Sequence, residues 1–251
     1  MNILVTNDDG IHAEGLRVLA DAVRPLGNVT IVAPDREQSA TSHSLTLHRP
    51  LRIRKVSDGV LAVDGTPTDC VLLGVHSFLK ERPDLIVSGI NHGPNMGNDV
   101  FYSGTVAAAS EGAFLGIPSI AISLATWEHA GFEPAGRVVR RLVADLVRVG
   151  IPAGNCVNVN IPAGPWEQVK GVRVTRLGSR VFRDVIVKKT DPRGKNYYWI
   201  GGEDPTWAHD EASDFAAVSE GYVSVTPLSF ELTDYKGIVE LESLGLNLDE
   251  S

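Results

Sequence analysis

The sequence has few of the residues that a disulfide-rich, zinc-binding or membrane-spanning protein needs. Only two cysteines occur in 251 residues, and both lie in apolar runs, Cys70 in DCVLLGV and Cys156 in NCVNVNI. We expect buried reduced thiols, because their spacing fits neither a disulfide framework nor a zinc site. No apolar run approaches the roughly 20 residues of a membrane helix, and no secretory signal opens the chain. We therefore expect a cytoplasmic protein with no membrane partner.

Positive charge is also scarce. Lys and Arg number 23 against 31 Asp and Glu, which gives a net charge of -8. A nucleic-acid polymer is not an expected partner, because binding its phosphates requires a basic surface. The chain also lacks a G-x-G-x-x-G fingerprint after its first strand and any G-x-x-x-x-G-K-[ST] loop. These absences disfavour dinucleotide and nucleoside triphosphate binding.

Buried-type strands alternate with amphipathic helices along most of the chain. Continuous apolar runs are typical of strands covered on both faces, and 3.6-residue periodicity follows most of them. This order predicts an α/β fold with a Rossmann-like, doubly wound and mostly parallel sheet. A hairpin-like excursion, which we expect to be peripheral, interrupts it at 45–65. The predicted strands are 2–6, 29–33, 84–90, 117–124 and 156–162, and the predicted helices are 16–23, 67–79, 105–116 and 133–149.

The pattern changes near residue 176. Alternating, aromatic-bearing segments flank the turn sequence DPRG, which predicts an extended antiparallel hairpin, and YVSVTPLSF resembles a strand returning to the body. We expect one α/β domain over 1–251, with the core and active site in 1–175. The C-terminal hairpin arm and returning segment, 176–251, are the expected contact of a homodimer or homotetramer.

The arm carries aromatic and basic side chains for which two interpretations stay open. The aromatic ones either stack a nucleobase or, as we favour, anchor an oligomer contact. The basic ones either attract anions or are simply solvated. The aromatic residues are Tyr197, Tyr198, Trp199 and Trp207, and the basic residues are Lys188, Lys189, Arg193 and Lys195.

Two adjacent carboxylates, Asp8 and Asp9, follow the first predicted strand. At about 4 Å and an effective dielectric constant near 20, two ionised carboxylates repel by roughly 4 kcal/mol. One interpretation is a turn in which an aspartate caps the next helix, although capping needs only one. The other is a divalent cation, Mg²⁺ or Mn²⁺, which prefers carboxylate, amide and hydroxyl oxygens.

Further oxygen donors follow the neighbouring strands. Ser39 lies in REQSATS, and Asn91 and Asn95 lie in the glycine-rich stretch SGINHGPNMGN. Loops at the carboxyl ends of parallel strands meet at one edge of a doubly wound sheet, where ligands bind. We therefore expect these side chains to lie close to the aspartate pair.

The sequence YSGTVAAASEG supplies an anion site. Ser103, Gly104 and Thr105 stand at the start of a predicted helix, where free amides and the helix dipole favour negative charge. A metal site beside an anion pocket suits the hydrolysis of a phosphomonoester. The cation would offset the substrate charge and activate a water as the nucleophile.

The segments that carry this chemistry resemble the SurE family of stationary-phase survival proteins, which act as metal-dependent nucleotidases. The resemblance covers most of the first 125 residues in order and is looser beyond about residue 130. The matching segments are ILVTNDDGIHAEG, VAPDREQSATSHSLTL, GTPTDCVLLG, RPDLIVSGINHGPNMGNDVFYSGTVAAASEG and GIPSIAIS.

The resemblance implies a 5'/3'-nucleotidase that hydrolyses nucleoside monophosphates, with activity on short polyphosphate as a further expectation. It implies one divalent metal ion per subunit and homodimers or homotetramers built through exchanged C-terminal elements. The implied metal ligands are Asp8, Asp9, Ser39 and Asn91. The implied phosphate contacts are Asn95, Ser103, Gly104 and Thr105.

The sequence indicates which residues belong to the site more clearly than it indicates their catalytic roles. We expect Asp8 or Asp9 to orient the attacking water, and we assign no general acid. His12, His43 and His92 lie near the loops, yet loop histidines are more often solvated or structural. They are therefore left outside the predicted catalytic set.

Two alternatives stay open. Haloacid dehalogenase-like phosphatases use one aspartate as a phosphoryl-accepting nucleophile. Their two aspartates are separated by one residue, however, whereas Asp8 and Asp9 are adjacent. A non-catalytic nucleotide-binding or regulatory module is the second alternative, because doubly wound folds serve many functions.

Overall fold

A computed structural model describes residues 1–128, 131–152, 154–181, 186–200 and 206–246. The strands are β1 (Asn2–Thr6), β2 (Asn28–Pro34), β3 (Ile53–Ser57), β4 (Val60–Val63), β5 (Leu85–His92), β6 (Ser119–Ala125), β7 (Asn155–Pro162), β8 (Val172–Val174), β9 (Arg180–Val181), β10 (Ile186–Thr190), β11 (Asn196–Ile200), β12 (Thr206–Trp207) and β13 (Val223–Ser229). The helices are α1 (Glu14–Val23), α2 (Pro67–Leu73), α3 (Gly104–Phe114), α4 (Glu133–Val149), α5 (Asp214–Ser219) and α6 (Tyr235–Ser243).

A central sheet organises the described residues into nine strands, in the order β3-β4-β2-β1-β5-β6-β7-β13-β8. Strands β4, β2, β1, β5, β6 and β7 run parallel, whereas β3 and β13 run antiparallel to their neighbours β4 and β7. Helices α1 and α4 pack together, and α2 packs with α3 in separate clusters of buried apolar side chains. The predicted doubly wound, mostly parallel α/β fold is confirmed.

The excursion at 45–65 is partly different from the prediction. Only 53–63 forms a hairpin. It is peripheral, as expected, because β3 and β4 are the outermost strands on one side, but it joins the central sheet through the pairing of β4 with β2. Residues 45–52 form a loop, where Pro50 lacks the amide that a strand ladder needs. Side chains hold this loop instead: Asp69 accepts from the amide of Thr46 at 3.0 Å, and Asp64 accepts from that of Arg52 at 2.7 Å.

The C-terminal part adds the predicted hairpin and one more strand of the sheet. Strands β10 and β11 pair antiparallel, and in the DPRG turn the amide of Gly194 donates to the carbonyl of Asp191 at 3.0 Å. The returning segment is β13, which pairs with β7. Helices α5 and α6 were not predicted, nor was β8. The division of the chain at residue 175 stays a prediction.

Two further expectations concern the cysteines and the membrane. Cys70 and Cys156 are buried free thiols, as predicted. Burial raises the pKa of the Cys156 thiol to about 12, which makes it unreactive at neutral pH. Among the described helices, none has the length and apolar character needed to cross a bilayer.

Candidate active site

A pocket of 560 Å³ opens at the carboxyl ends of the parallel strands. The loop after β1 contributes the aspartate pair, the loop after β2 contributes its acidic and hydroxyl side chains, and the end of β5 contributes two asparagines. The N-terminus of α3 lies directly beside Asp8 and contributes Ser103. The lining residues are Asp8, Asp9, Glu37, Ser39, Ala40, Asn91, His92, Pro94, Asn95, Asp99, Tyr102, Ser103 and Trp127.

The carboxylate of Asp8 is buried and held by the start of α3. The amide of Thr105 donates to Oδ2 at 3.1 Å, and the Thr105 hydroxyl donates to Oδ1. A Cβ added at Gly104 would lie 2.9 Å from Cβ of Asp8, so glycine permits this close approach. Burial raises the pKa of Asp8, although the hydrogen bonds from Thr105 oppose the shift. Asp8 is therefore a preoriented carboxylate at a helix N-terminus.

Asp9 is half-buried and faces the same pocket. Its Oδ2 accepts a hydrogen bond from the amide of His92 at 3.2 Å. Burial, followed by the negative charge of Asp8, raises the pKa of Asp9 to about 6. The negative charge of Glu37 contributes to the same rise in pKa, and the hydrogen bond from His92 opposes it. Ionising Asp9 at neutral pH is therefore costly unless a cation compensates for the charge.

A bulge at the end of β5 directs Asn91 toward the pocket. The pairing of β5 with β6 shifts register between Ser88 and Asn91. Gly89 lies between them with φ +130°, and a Cβ there would approach the carbonyl oxygen of Ile122 to 2.2 Å. The Asn91 amide group donates to the carbonyl of Gly93 at 2.8 Å. The side-chain oxygen is therefore the atom of Asn91 that can ligate a cation.

Ser39 lies on an exposed part of the loop after β2. Its hydroxyl donates to a carboxylate oxygen of Glu37 at 2.5 Å. The next residues include Ala40 and Ser42 at φ 54° and 52°, a left-handed conformation that few non-glycine residues adopt. Such strain is concentrated at functional sites. A hydrogen bond of 3.2 Å from the amide of Ser42 to the carbonyl of Tyr102 ties this loop to the segment that precedes α3.

Asn95 is fixed by buried polar groups of the central sheet. Asn160 accepts from the Asn95 amide at 2.9 Å and donates to its carbonyl at 2.9 Å, and Asn158 donates to the same carbonyl at 2.8 Å. The Asn95 side chain donates to the hydroxyl of Ser123 at 2.8 Å. Its side-chain nitrogen is thus engaged within the sheet, while the residue itself lines the pocket.

Asp214 fastens the loop that follows Asn95. This carboxylate is fully buried and accepts from the amides of Gly97 at 2.8 Å and Gly178 at 2.9 Å. Gly178 lies just before β9, so Asp214 links the pocket loop to the segment that leads into the hairpin. Burial raises its pKa. The sequence offered no pattern that would distinguish Asp214 from a helix cap.

The residues predicted to contact phosphate have different surroundings. Ser103 lines the pocket and caps α3, because its hydroxyl accepts from the amide of Val106 at 3.1 Å. Thr105 is fully buried against Asp8, and neither Thr105 nor Gly104 is among the described lining residues. The structure thus brings Asp8, Asp9, Ser39, Asn91, Asn95 and Ser103 to one pocket, with Gly104 and Thr105 immediately behind Asp8. Their roles as ligands stay predictions.

The pocket is acidic. Among its described lining residues are four carboxylates, Asp8, Asp9, Glu37 and Asp99, and neither Lys nor Arg. Within the described part of the chain, no group of three or more His, Cys, Asp or Glu residues could hold a metal ion. A cation here would therefore need the neutral oxygens of Ser39 and Asn91 as well as the aspartate pair. That donor set is the one that Mg²⁺ and Mn²⁺ prefer.

The three loop histidines have different environments. His92 lines the pocket, and its Nε2 lies 3.0 Å from the carbonyl of Glu128. His43 lies elsewhere, with Nε2 2.7 Å from Glu111 and its ring stacked on Phe114. His12 is exposed and is not among the described lining residues.

The aromatic residues of the arm do not form one group. Trp207 stacks on Phe215 with ring centroids 4.4 Å apart, and a Cβ at Gly97 would lie 2.8 Å from its ring. It therefore packs within the chain, and whether it also takes part in a subunit contact stays a prediction. Tyr198 and Trp199 are 59% and 61% exposed on β11 and stay available for a contact.

Several pocket residues were missed by sequence reasoning: Glu37, Asp99, Tyr102 and Trp127. Glu37 and Asp99 lie within loops that were already singled out, so their charge was the available signal. Trp127 follows β6, a parallel strand whose carboxyl-end loop was not considered. Its position at the same edge of the sheet was the signal that could have found it.

The fold and pocket define an α/β protein of the doubly wound class, with an acidic ligand site at the carboxyl edge of its parallel strands. Comparison with known proteins specifies the family. The family model described as Survival protein SurE matches residues 3–184. The chain therefore belongs to the SurE family, which confirms the resemblance seen in its motifs.

Individual relatives match over nearly their whole length. The chain is 51% identical over 248 residues to the 5'-nucleotidase SurE of Geobacter sulfurreducens, covering 98% of this chain and 95% of the relative. It is 52% identical to the 5'/3'-nucleotidase SurE of Proteus mirabilis, covering 95% and 93%. The crystal structure of the SurE protein from Aquifex aeolicus matches with a TM-score of 0.88 and 43% identity, covering 98% of this chain and all of that one.

Proposed function

We propose that this protein is a divalent-metal-dependent phosphomonoesterase that hydrolyses nucleoside monophosphates to nucleoside and phosphate. One observation carries the proposal: an acidic pocket combines two adjacent carboxylates with amide and hydroxyl oxygens, and no Lys or Arg occurs among its described lining residues. The nucleotide as substrate is taken from the relatives, which are named 5'- and 5'/3'-nucleotidases.

In this proposal Asp8, Asp9, Ser39 and Asn91 hold one Mg²⁺ or Mn²⁺ ion. When bound, the cation supplies positive charge for the phosphoryl oxygens and lowers the pKa of a water. Asp8 is kept in place by Thr105, and its burial makes it a strong partner for a cation. Ser39 is the fourth ligand and comes from the loop after β2. The hydrogen bond from the Ser42 amide to the Tyr102 carbonyl holds this loop beside the pocket.

The chain's own residues then bind and orient the substrate. The Asn95 side chain and the Ser103 hydroxyl, which line the same pocket as the aspartate pair, contact the phosphate. The amides of Thr105 and Val106 at the start of α3 are taken by Asp8 and by the Ser103 cap, so the charge of the phosphate is offset mainly by the cation and not by this helix end. Asp9 orients the attacking water, because it is the carboxylate of the pair that is only half-buried. The buried network around Asn95 keeps the phosphate-binding groups from shifting during the reaction.

The activity test is release of inorganic phosphate from adenosine 5'- and 3'-monophosphate and from short polyphosphate in the presence of Mn²⁺. We expect turnover of the nucleotides, and near-complete loss in Asp8→Asn and Asp9→Asn. Asp58→Asn serves as a matched control, because Asp58 is an exposed carboxylate on the β3–β4 turn. Tight nucleotide binding without product over hours would favour the non-catalytic alternative. A trapped phosphoaspartate at Asp8 would favour the aspartyl-nucleophile alternative.

We also propose a homodimer or homotetramer formed through the C-terminal arm. Apolar side chains on the hairpin are exposed: Ile186 by 67%, Trp199 by 61% and Ile200 by 86%. None of the residues of α6 is buried, although the helix presents Ile238, Val239 and Leu241. These exposed apolar side chains are the basis for proposing that the arm makes a subunit contact. The cytoplasmic location expected from the sequence stays a prediction.

A further inference from the structure

Trp127 is a large apolar side chain whose exposure is not explained by folding. Its side chain is 74% exposed, yet it lines the pocket. The turn that carries it is held by hydrogen bonds on both sides. The amide of Thr126 donates to the carbonyl of Leu124 at 2.8 Å, and the amide of Glu128 donates to the Thr126 hydroxyl at 3.0 Å. The indole is therefore presented at the pocket from a fixed turn.

The indole lies on the loop that begins with Asn91. A Cβ added at Gly93 would be 2.5 Å from Cζ3 of Trp127, so the ring lies directly against the backbone at this glycine. Gly93 also has φ +112°, and its amide donates to the carbonyl of Leu124 at 3.0 Å. Trp127 is thus seated against the backbone two residues from Asn91, with most of its surface open to solvent.

A second exposed aromatic side chain lines the same pocket. Tyr102 is 61% exposed and directly precedes Ser103, the cap of α3. The pocket volume of 560 Å³ lies within the usual range for organic ligands, about 300–1,000 Å³. The pocket therefore combines polar lining residues with two exposed aromatic side chains, Trp127 and Tyr102, and has room for more than a phosphate group.

We propose that Trp127 is the specificity-determining platform on which the nucleobase of the substrate stacks, while Tyr102 forms a second wall of the base subsite. This inference rests on the proposed function and adds to it a preference among phosphomonoesters. Stacking tolerates any base, because every base has a π face. We expect purine nucleotides to be preferred over pyrimidine nucleotides, because the larger ring system covers more of the indole.

The test compares a substrate that has a base with one that lacks it. Stacking is worth about 1–3 kcal/mol per base, or roughly a 5- to 150-fold effect. In Trp127→Ala we expect the KM for adenosine 5'-monophosphate to rise about tenfold, with kcat nearly unchanged. Trp127→Phe, which keeps an aromatic face, should restore most of the affinity. Neither substitution should alter kinetics with ribose 5-phosphate.

Fluorescence supplies a readout that does not need turnover. Adenosine 5'-monophosphate should quench part of the tryptophan emission in the wild type, and Trp127→Phe should abolish that quenching. Trp166→Phe is the control, because Trp166 lies in a short helical turn outside the pocket and should leave the quenching unchanged.

The outcomes separate this inference from the proposed function. Equal losses on adenosine 5'-monophosphate and ribose 5-phosphate in Trp127→Ala would overturn the base subsite and leave the phosphoesterase intact. An unchanged KM for the nucleotide would do the same. If the wild type hydrolysed neither compound, the proposed function would fail. The fluorescence test would then decide on the base subsite alone, and quenching that persists in Trp127→Phe would overturn it.

Discussion

Thr105 binds both carboxylate oxygens of Asp8, one through its backbone amide at 3.1 Å and the other through its hydroxyl. Thr105 is fully buried, so this pair joins the start of α3 to the loop after β1 inside the protein. The relationship makes Thr105 a positioning residue for Asp8. It also explains how a buried carboxylate stays oriented beside a second carboxylate.

Replacing the hydroxyl of Thr105 should therefore weaken the site. Thr105→Val keeps the shape of the side chain but removes its hydrogen bond to Oδ1 of Asp8. In the wild type that hydrogen bond lowers the pKa of Asp8, so its loss makes the ionised carboxylate less favourable. We expect about a tenfold loss in kcat/KM, since a charge-assisted hydrogen bond is worth about 1.5–3 kcal/mol. Thr105→Ser should retain most activity. Equal activity in Thr105→Val and the wild type would contradict the positioning role.

Cation binding should weaken as the pH falls through 6. The pKa of Asp9 is raised from 3.8 to about 6. Because the pKa is higher in the folded than in the unfolded chain, protonation of Asp9 stabilises the folded state. This contribution to the free energy of unfolding is fully present below pH 3.8 and is lost as the pH rises through 6. A cation replaces the proton above pH 6, so below that pH its affinity should fall about tenfold per unit.

The measurement for this pH dependence is the shift in melting temperature caused by Mn²⁺ at pH 5 and at pH 7.5. We expect a clear stabilisation at pH 7.5 and little at pH 5. Asp9→Asn, which cannot titrate, should show little stabilisation at either pH. A shift of the same size at both pH values in the wild type would contradict the coupling between Asp9 and the cation.

Asn160 should support both folding and phosphate binding, because it pairs with the amide and the carbonyl of Asn95. Asn160→Ala leaves these buried groups with fewer partners, which should lower the free energy of unfolding by about 1–3 kcal/mol. Displacing Asn95 should also weaken inhibition by inorganic phosphate. Urea unfolding and phosphate inhibition test the two effects. Asn155→Ala, on the same strand but outside this network, should change neither.

Charge on the hairpin should disrupt the oligomer. Ile200 is 86% exposed on β11, opposite Ile186 in the antiparallel pair. Ile200→Lys should dissociate a contact made by the arm without unfolding the core, because the side chain is not buried within the chain. Sedimentation velocity should show a multimer for the wild type and a smaller species for the variant. A monomeric wild type would contradict the proposed assembly.

The sequence predicted those features that depend on strand order alone. Asp8, Asn91 and Asn95 were expected at one edge of the sheet, because buried strands alternating with helices imply parallel pairing. The hairpin at DPRG followed from turn chemistry. The ion that would neutralise the repulsion between Asp8 and Asp9 stays a prediction. These inferences require neither the register of the strands nor the path of the loops.

The features that escaped prediction depend on register and on close approach of backbones. The contact between Thr105 and Asp8 exists because Gly104 lets α3 approach the carboxylate, and Asn91 is redirected by a bulge after Ser88. A linear pattern contains neither fact. Asn158 and Asn160 are different, since two asparagines at alternate positions of a buried strand were a readable signal of a polar network.

Direct titration of metal-free protein with Mn²⁺ by calorimetry, followed by assay of the same samples for phosphate release from adenosine 5'-monophosphate, tests the central claim. We predict one Mn²⁺ per chain, hydrolysis that rises with its occupancy, and loss of both in Asp8→Asn and Asp9→Asn. Binding that is unchanged in both variants, or full turnover with excess chelator, would contradict the claim that the adjacent carboxylates of this pocket hold the cation on which hydrolysis depends.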